Sequence, residues 1–310
     1  MRRFFYAISD ERDASSNIDI NYPKLSTLSV GSELALTEGI VHHWCRVLRA
    51  NVGDQGILFD GFGGEYRVQL QEISKKHATV TLLAHLDDDR SALVISKIGL
   101  VMSRGERMDY AIQKATELGV TAIQLLSSHH GEVNLKPAQV DKKLLHWQQV
   151  AIAACEQCGL NRTPLILAPQ SIDQWLRADT AINAVSKVTA NSINENTEKN
   201  INGLPVSPIV AALSQDAYYQ ILQQPADLRL QMSVPAAGQP AMPESLLAVL
   251  KRESPYIKLL IGPEGGLSDD ERAQAKKAHF SPWQIGNRVL RTETAPVVAL
   301  ATLNALYHQH

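Results

Sequence analysis

From residue 1 to about 90 the apolar residues fall in short alternating runs: RRFFYAI, SELALT, QGILFDG, EYRVQLQEI and HATVTLLAHL. Alternation with period two marks a strand with one buried face. Val52-Gly53-Asp54 and Asp60-Gly61-Phe62-Gly63-Gly64 supply turns between the runs. One stretch breaks the alternation. In EGIVHHWCRVLR, residues 38 to 49, Val41, Trp44, Val47 and Leu48 recur at helical spacing. The spacing predicts a helix with those four inward and His42, His43, Arg46 and Arg49 on or near the other side. A small barrel with one helix follows, ending near Asp87-Asp88-Asp89-Arg90.

After residue 96 the pattern changes to strands alternating with helices. KIGLVMS, TAIQLLSS and PLILA read as strands. GERMDYAIQKATELGV predicts an amphipathic helix with Met108, Ala111, Ala115 and Leu118 inward, closed by Gly119. A longer helix, about 138 to 158, presents Val140, Leu144, Trp147, Ala151 and Ala154. Such alternation predicts an α/β domain with a mostly parallel sheet and flanking helices. PIVAAL (208 to 213), LRLQMSV and IKLLI read as further strands. Residues 178 to 208, rich in Asn, Ser and Thr, interrupt the rhythm as a surface insertion, and PAAGQPAMPE (235 to 244) reads as a loop.

Composition narrows this picture. The 310 residues suffice for two domains, here 1–90 and 91–310, and 45% hydrophobic with 20% charged residues is ordinary for a globular chain. No run approaches the roughly 20 apolar residues of a membrane span. The apolar part of MRRFFYAISDERD is too short for a signal peptide, so a strand, a cytoplasmic location and no membrane association are expected. The net charge of −2 means that any phosphate contact must come from local clusters. Cys155 and Cys158 form C-x-x-C, but inside a helical run and without a second pair. Packing is expected of them, with no metal site and no redox role.

Two stretches carry candidate chemistry. In IKLLIGPEGGLSDDE, 257 to 271, an apolar strand runs into a turn of Gly262-Pro263-Glu264-Gly265-Gly266. Ser268 and Glu271 have the spacing of a capping box for the next helix. Glycines let backbone approach a ligand closely, and ligands of open α/β sheets sit outside the carboxyl ends of strands. No Lys-Ser/Thr follows the glycines and no G-x-G-x-x-G is present, so a cofactor held by its flat ring fits better than one held by phosphates. The plainer reading is a tight strand-to-helix turn. In IGNRVLRTETAP, 285 to 296, a strand WQIG ends at Gly286, and Arg288 and Arg291 precede Thr292-Glu293-Thr294. The following APVVALATLNAL lacks a polar face, so the core or a second subunit must cover it. Thr294 is the expected cap, with Pro296 in the first turn. A salt-bridged, capped helix start is the alternative here.

GPEGG followed about twenty residues later by Gly286-Asn287-Arg288-Val289-Leu290-Arg291-Thr292-Glu293-Thr294-Ala295 resembles the signature of the SPOUT methyltransferases, and most closely the RsmE family. HHWCRVLRANVGD (42 to 54), SRGERMDYAIQKATELGV (103 to 120) and WQQVAIAACEQCGLNR (147 to 162) match the same family. The resemblance implies S-adenosylmethionine-dependent methylation of N3 of a uridine in 16S ribosomal RNA, within the small ribosomal subunit. It implies a PUA-like, RNA-binding β-barrel over 1–90 and a SPOUT domain over 91–310 with a C-terminal trefoil knot. It also implies a homodimer. Carried over by motif, the cofactor-binding positions are Leu260, Gly262, Gly266, Ile285, Gly286, Arg288, Leu290, Arg291, Thr292 and Thr294. RNA contacts are expected from Arg2, Arg3, His43, Arg46 and Arg49 of the barrel, and from Arg104 after the first strand of the second domain.

Uracil N3 is a poor nucleophile while protonated, so the chain must align it and help its proton leave. Arg291 is expected to stabilise the charge that spreads onto O2 and O4, with Arg288 or Arg104 as substitutes. Glu293 is the first candidate for accepting the proton and Glu264 the second. Equally open are a structural pairing of Glu293 with Arg291 and proton loss to water. Two competing functions stand beside this one: methylation of tRNA or of a ribose 2′-hydroxyl, and a catalytically silent RNA-binding module.

Overall fold

The alternating runs of the first ninety residues form a five-stranded sheet. Its strands are β1 (Arg2–Phe5), β2 (Glu33–Ala35), β3 (Gln55–Phe59), β4 (Glu65–Ile73) and β5 (Ala78–Leu86), in the order β1-β3-β4-β5-β2. β1 lies parallel to β3 and the other pairs are antiparallel. Register shifts in the β4–β5 ladder bend the sheet. It is packed about one apolar core that includes Phe4, Tyr6, Leu58, Val68 and Leu82. This computed structural model describes residues 1–6, 24–75, 77–178, 208–234 and 241–308. Residues 179–207 of the insertion expected over 178–208, and 235–240 of the loop expected over 235–244, lie outside the described residues.

Helix α1 (Glu38–Ile40) continues into a wider π-turn over Val41–Val47, sealed by Leu48 N–H donating to the His43 carbonyl at 3.0 Å. Val41 and Trp44 are buried as predicted, but Val47 is 58% exposed. The inward placement of Val47 is thus corrected. A π-turn takes in more residues per revolution, so the positions after Trp44 rotate off the helical face.

The contacts divide the chain into two compact units, Met1–Ser91 with Ile152–Thr163, and Ala92–Ala151 with Pro164–His310. The segment Ile152–Thr163, read from the sequence as part of the second domain, belongs with the first unit. Polar contacts bind it there. Arg3 is ion-paired with Glu65 and donates to Asn161. Asn161 in turn donates to the Asp88 carbonyl, Phe5 N–H donates to Glu156 at 2.9 Å, and Arg162 pairs with Asp89 at 2.6 Å. The Arg3 and Glu65 side chains are 8% and 3% exposed. Arg3 is therefore corrected from an RNA contact to an internal partner, since buried charges are held by pairing. Burial, and then the neighbouring Cys158 thiol, push the Cys155 thiol well up, which leaves it unreactive.

The second unit is built from β6 (Ile95–Val101), α2 (Glu106–Glu117), β7 (Ala122–Ser127), α3 (Pro137–Cys158, whose last turns fall in the first unit) and β8 (Leu165–Ser171). A short helix α4 (172–178), α5 (Pro208–Leu213), α6 (Ala217–Gln220), β9 (Leu228–Met232) and α7 (Ser245–Leu250) follow. β10 (Tyr256–Ile261), α8 (Asp269–Lys277), β11 (Ser281–Trp283) and α9 (Ala295–Tyr307) complete it. The strands pair in the order β11-β9-β10-β6-β7-β8, every pair parallel. PIVAAL is thus a helix, not a strand. It shows no alternation, and a proline at its first position suits a helix start. β11 ends at Trp283, three residues before Gly286, because Gln284 N–H bonds the Ala241 carbonyl instead of a neighbouring strand.

Both sheet faces are covered, which is why these strands read as continuous apolar runs. Ile257, Leu259 and Ile261 of β10 face a core with Met108 and Ala111 of α2 and Ala299 and Leu303 of α9. Leu260 faces the opposite core with Trp175 of α4 and Ala275 of α8. On β6, a Cβ at Gly99 would lie 2.5 Å from the Trp175 ring, so only glycine fits there. Among the described residues no helix is long and apolar enough to cross a membrane.

Candidate active site

A parallel sheet puts the carboxyl ends of all its strands on one edge, so the loops after β6, β7, β10 and β11 gather there. The turn after β10 is the GPEGG stretch. Gly266 has φ +73, a left-handed conformation that glycine adopts without strain. Helix α8 then starts on the capping box read from the sequence: Ser268 Oγ accepts from Glu271 N–H, and Glu271 accepts from Ser268 N–H.

Glu271 does more than cap. Its carboxylate also accepts from His129 N–H at 2.9 Å and from Ser128 Oγ at 3.3 Å, both in the loop after β7. Burial alone would raise its pKa. The backbone N–H groups of His129 and Ser268, with the two serine hydroxyls, outweigh that and hold it below the ordinary value. His130 completes the brace. Its Nδ1 lies 3.1 Å from the Gly266 carbonyl, which fixes a proton on that nitrogen. The sequence reading missed this loop. A signal was present, since His129-His130-Gly131 follows an apolar strand just as GPEGG does.

β11 and β10 are not neighbours in the sheet, because β9 lies between them. Their loops meet nevertheless. The buried Thr292 donates its Oγ1 hydrogen to the Gly262 carbonyl at 3.2 Å. Gly286, at φ +75, starts the loop that makes this crossing. Leu290 is half-buried and packs on the main core, and Ile285 does the same. Arg288 is exposed. Thr294 precedes α9 but its hydroxyl makes no cap bond. Thr294 N–H and Ala295 N–H both reach the Arg291 carbonyl instead. Leu260 points its side chain into the α8-side core, so only its backbone is available to a ligand at the strand end.

The candidate catalytic pair is asymmetric. Arg291 is 70% exposed and Glu293 12%, and their closest nitrogen and oxygen are 3.9 Å apart. Glu293 Oε2 is buried with no hydrogen-bond partner. A buried carboxylate oxygen without a donor is costly, and Glu293 directly follows Thr292, whose hydroxyl bonds the Gly262 carbonyl. Glu264, the second candidate base, is paired with Arg107 at 2.7 Å. Arg104 is exposed and pairs with Glu132 at 3.5 Å. In the first unit Arg2, His43, Arg46 and Arg49 are exposed, as an RNA-facing role requires.

This geometry agrees with comparisons to known proteins. A family described as RNA methyltransferase domain matches residues 93–213 and 206–304, and one described as RNA methyltransferase PUA domain matches 36–83. Ribosomal RNA small subunit methyltransferase E of Synechocystis is 28% identical over 277 residues, covering 89% of this chain and 74% of that protein. The Bacillus subtilis protein of the same name is 26% identical over 270 residues, covering 87% and 89%. Among solved structures, ribosomal RNA small subunit methyltransferase E from Neisseria gonorrhoeae, bound to S-adenosyl methionine, superposes with a TM-score of 0.67. It is 28% identical and covers 99% of this chain and 98% of that one. A methyltransferase from Legionella pneumophila with bound cofactor gives 0.68 at 26% identity, covering 98% and 97%. The resemblance carried by the two glycine turns is borne out, and the chain belongs to the RNA methyltransferase family, with the PUA domain of that family in its N-terminal part.

Proposed function

We propose that this chain methylates N3 of a uridine in the 16S ribosomal RNA of the small subunit, using S-adenosylmethionine. The relatives named above are small-subunit RNA methyltransferases, and the Neisseria structure holds that donor. The observation that carries the reading is the Thr292–Gly262 hydrogen bond, which closes two glycine turns into one cradle beside the orphaned oxygen of Glu293.

The residues present fit the donor. Glycine turns at 262–266 and 286 leave backbone open to a flat adenine. Bound there, S-adenosylmethionine supplies an electrophilic methyl group on a sulfonium. The chain's own task is the uracil. Glu293 Oε2, held dry and without a donor, receives the N3 proton. Arg291, exposed and only loosely paired, is free to turn toward O2 or O4 as negative charge develops on them. Glu264 is the weaker base because Arg107 already occupies it. Arg104 and the exposed arginines of the first unit hold phosphates.

The homodimer is part of the same proposal. Helix α9 lacks a polar face and leaves Ala301 and Ala305 exposed, which suits a second copy. So is the C-terminal knot, supported by residue 292 returning to residue 262 after the intervening chain has formed α8 and β11. A ribosomal substrate also fits a cytoplasmic protein.

The test is methyl transfer from labelled S-adenosylmethionine to small subunits lacking the modification, with the product nucleotide mapped by mass spectrometry. Label on uracil N3 is expected. Label on a ribose 2′-oxygen or on tRNA would replace the substrate assignment, and donor binding without transfer to any RNA would leave the silent module.

A further inference from the structure

The turn at 262–266 contains three glycines, Gly262, Gly265 and Gly266. Glycine samples more backbone conformations than any other residue, so such a turn has few restraints of its own. Gly266 N–H donates to the Pro263 carbonyl at 2.9 Å, which closes the turn locally. Bonds from other loops then reach its backbone at both ends. Thr292 donates to the Gly262 carbonyl. His130 Nδ1–H donates to the Gly266 carbonyl at 3.1 Å. Between these points Glu264 and Gly265 are exposed. Arg107 pairs with the Glu264 carboxylate, but both side chains are 45% exposed and the pair does not hold backbone, so it restrains the turn little.

His130 stands on a fixed support. Gly131 N–H donates to the Ser128 carbonyl at 3.0 Å, closing a turn with His129 and His130 at its centre. Ser128 Oγ and His129 N–H both donate to Glu271, which the capping box of α8 holds in turn. The backbone beneath His130 is thus anchored to the helix into which the glycine turn leads. The side chain also lies close over that turn, since a Cβ at Gly265 would stand 3.3 Å from the His130 Cβ. Such a spacing is tighter than ordinary contact, so a side chain at 265 would push His130 off Gly266. His129 differs from its neighbour. It acts on Glu271 through its backbone, and its exposed ring stands edge-on to that of His130, with centroids 4.9 Å apart.

We propose that His130 is a positioning residue for the methyl donor, its Nδ1–H holding the Gly266 carbonyl so that the exposed middle of the turn is already shaped when the donor arrives. The proposal rests on the reading of the glycine turns as the donor site, and it gives a role to a residue of the loop after β7, outside both sequence motifs. His130 acts through Gly266 and not by touching the reacting atoms. A turn ordered in advance lowers the entropy lost on binding, so the effect falls on donor affinity and leaves the chemical step alone.

The test is calorimetric titration of the full chain with S-adenosylmethionine, beside steady-state methylation of small subunits at saturating donor. His130→Ala should weaken donor affinity about fivefold, the loss of one hydrogen bond. His130→Asn carries an amide nitrogen as many bonds from Cα as Nδ1 is, and should bring affinity back to within about twofold of the natural protein. His129→Ala keeps the backbone bond to Glu271 and should also stay within about twofold. KM for small subunits and kcat should be unchanged in all three variants. Natural affinity in His130→Ala, equal loss in His130→Asn or His129→Ala, or a change in KM for small subunits in place of donor affinity would each overturn the proposal. The unsubstituted chain is titrated first. No uptake of donor by it would defeat the donor-site reading and this inference together, whereas uptake indifferent to His130 defeats this inference alone.

Discussion

The Thr292 hydroxyl and the Gly262 carbonyl lie 3.2 Å apart, joining loops that leave two strands separated by a third. Thr292 is buried, so the bond is shielded from water. Thr292→Val keeps the shape and removes the donor, leaving the carbonyl unsatisfied. The expected cost is about 1 kcal/mol. Calorimetry should show S-adenosylmethionine affinity lowered roughly fivefold to tenfold, since about 1.4 kcal/mol is a factor of ten. Unchanged affinity would detach the bond from the cofactor site.

Glu293→Gln separates the two roles left open for that residue. As a proton acceptor its loss should lower kcat by about 10² to 10⁴. The fold should not suffer, because Oε2 has no partner to lose and the pairing with an exposed Arg291 at 3.9 Å contributes little. Thermal unfolding and single-turnover rates measured on one preparation decide it. A near-normal rate leaves Glu293 only as the neighbour of Arg291.

Arg2 and Arg3 are adjacent in sequence and opposite in consequence. Removing the Arg3 side chain strands the buried Glu65 charge and should cost about 3–5 kcal/mol. Arg2→Ala should leave stability within about 0.5 kcal/mol, as exposed substitutions do. Denaturant unfolding of the two variants gives the comparison. Equal midpoints would refute the internal role assigned to Arg3.

Glu271 gives the site an acid limit. Its folded pKa is depressed, so its stabilisation is fully present above the ordinary glutamate value of about 4.3 and is lost as pH falls through the lower folded value. The brace between the β7 loop and the cofactor turn should therefore loosen below about pH 4. Thermal midpoints followed from pH 6 to pH 3 should fall more steeply for the natural protein than for Glu271→Gln. Parallel curves would contradict the linkage.

Much of this was readable in advance. The capping box at Ser268 and Glu271, the inward face of α2 and the Gly119 stop depend on contacts within a few residues, and local spacing reports such contacts directly. The failures share a cause. Val47 was placed inward by assuming 3.6 residues per turn, and the π-turn broke that assumption. PIVAAL has the composition of a buried strand and differs from one only in its surroundings. Arg3 carries the same charge as Arg2, and only the neighbours Glu65 and Asn161 turn it inward. The brace from Glu271 to His129 links residues 142 positions apart.

By itself, the sequence determined the two classes of element, the glycine turns and the family signature, because these follow from periodicity and from backbone conformations few residues allow. Tertiary structure alone decided that the loops after β10 and β11 meet across an intervening strand, that Ile152–Thr163 joins the first unit, and that one oxygen of Glu293 is left without a partner. Each of these depends on which distant groups come within hydrogen-bonding distance, and a pattern along the chain carries no measure of distance through space.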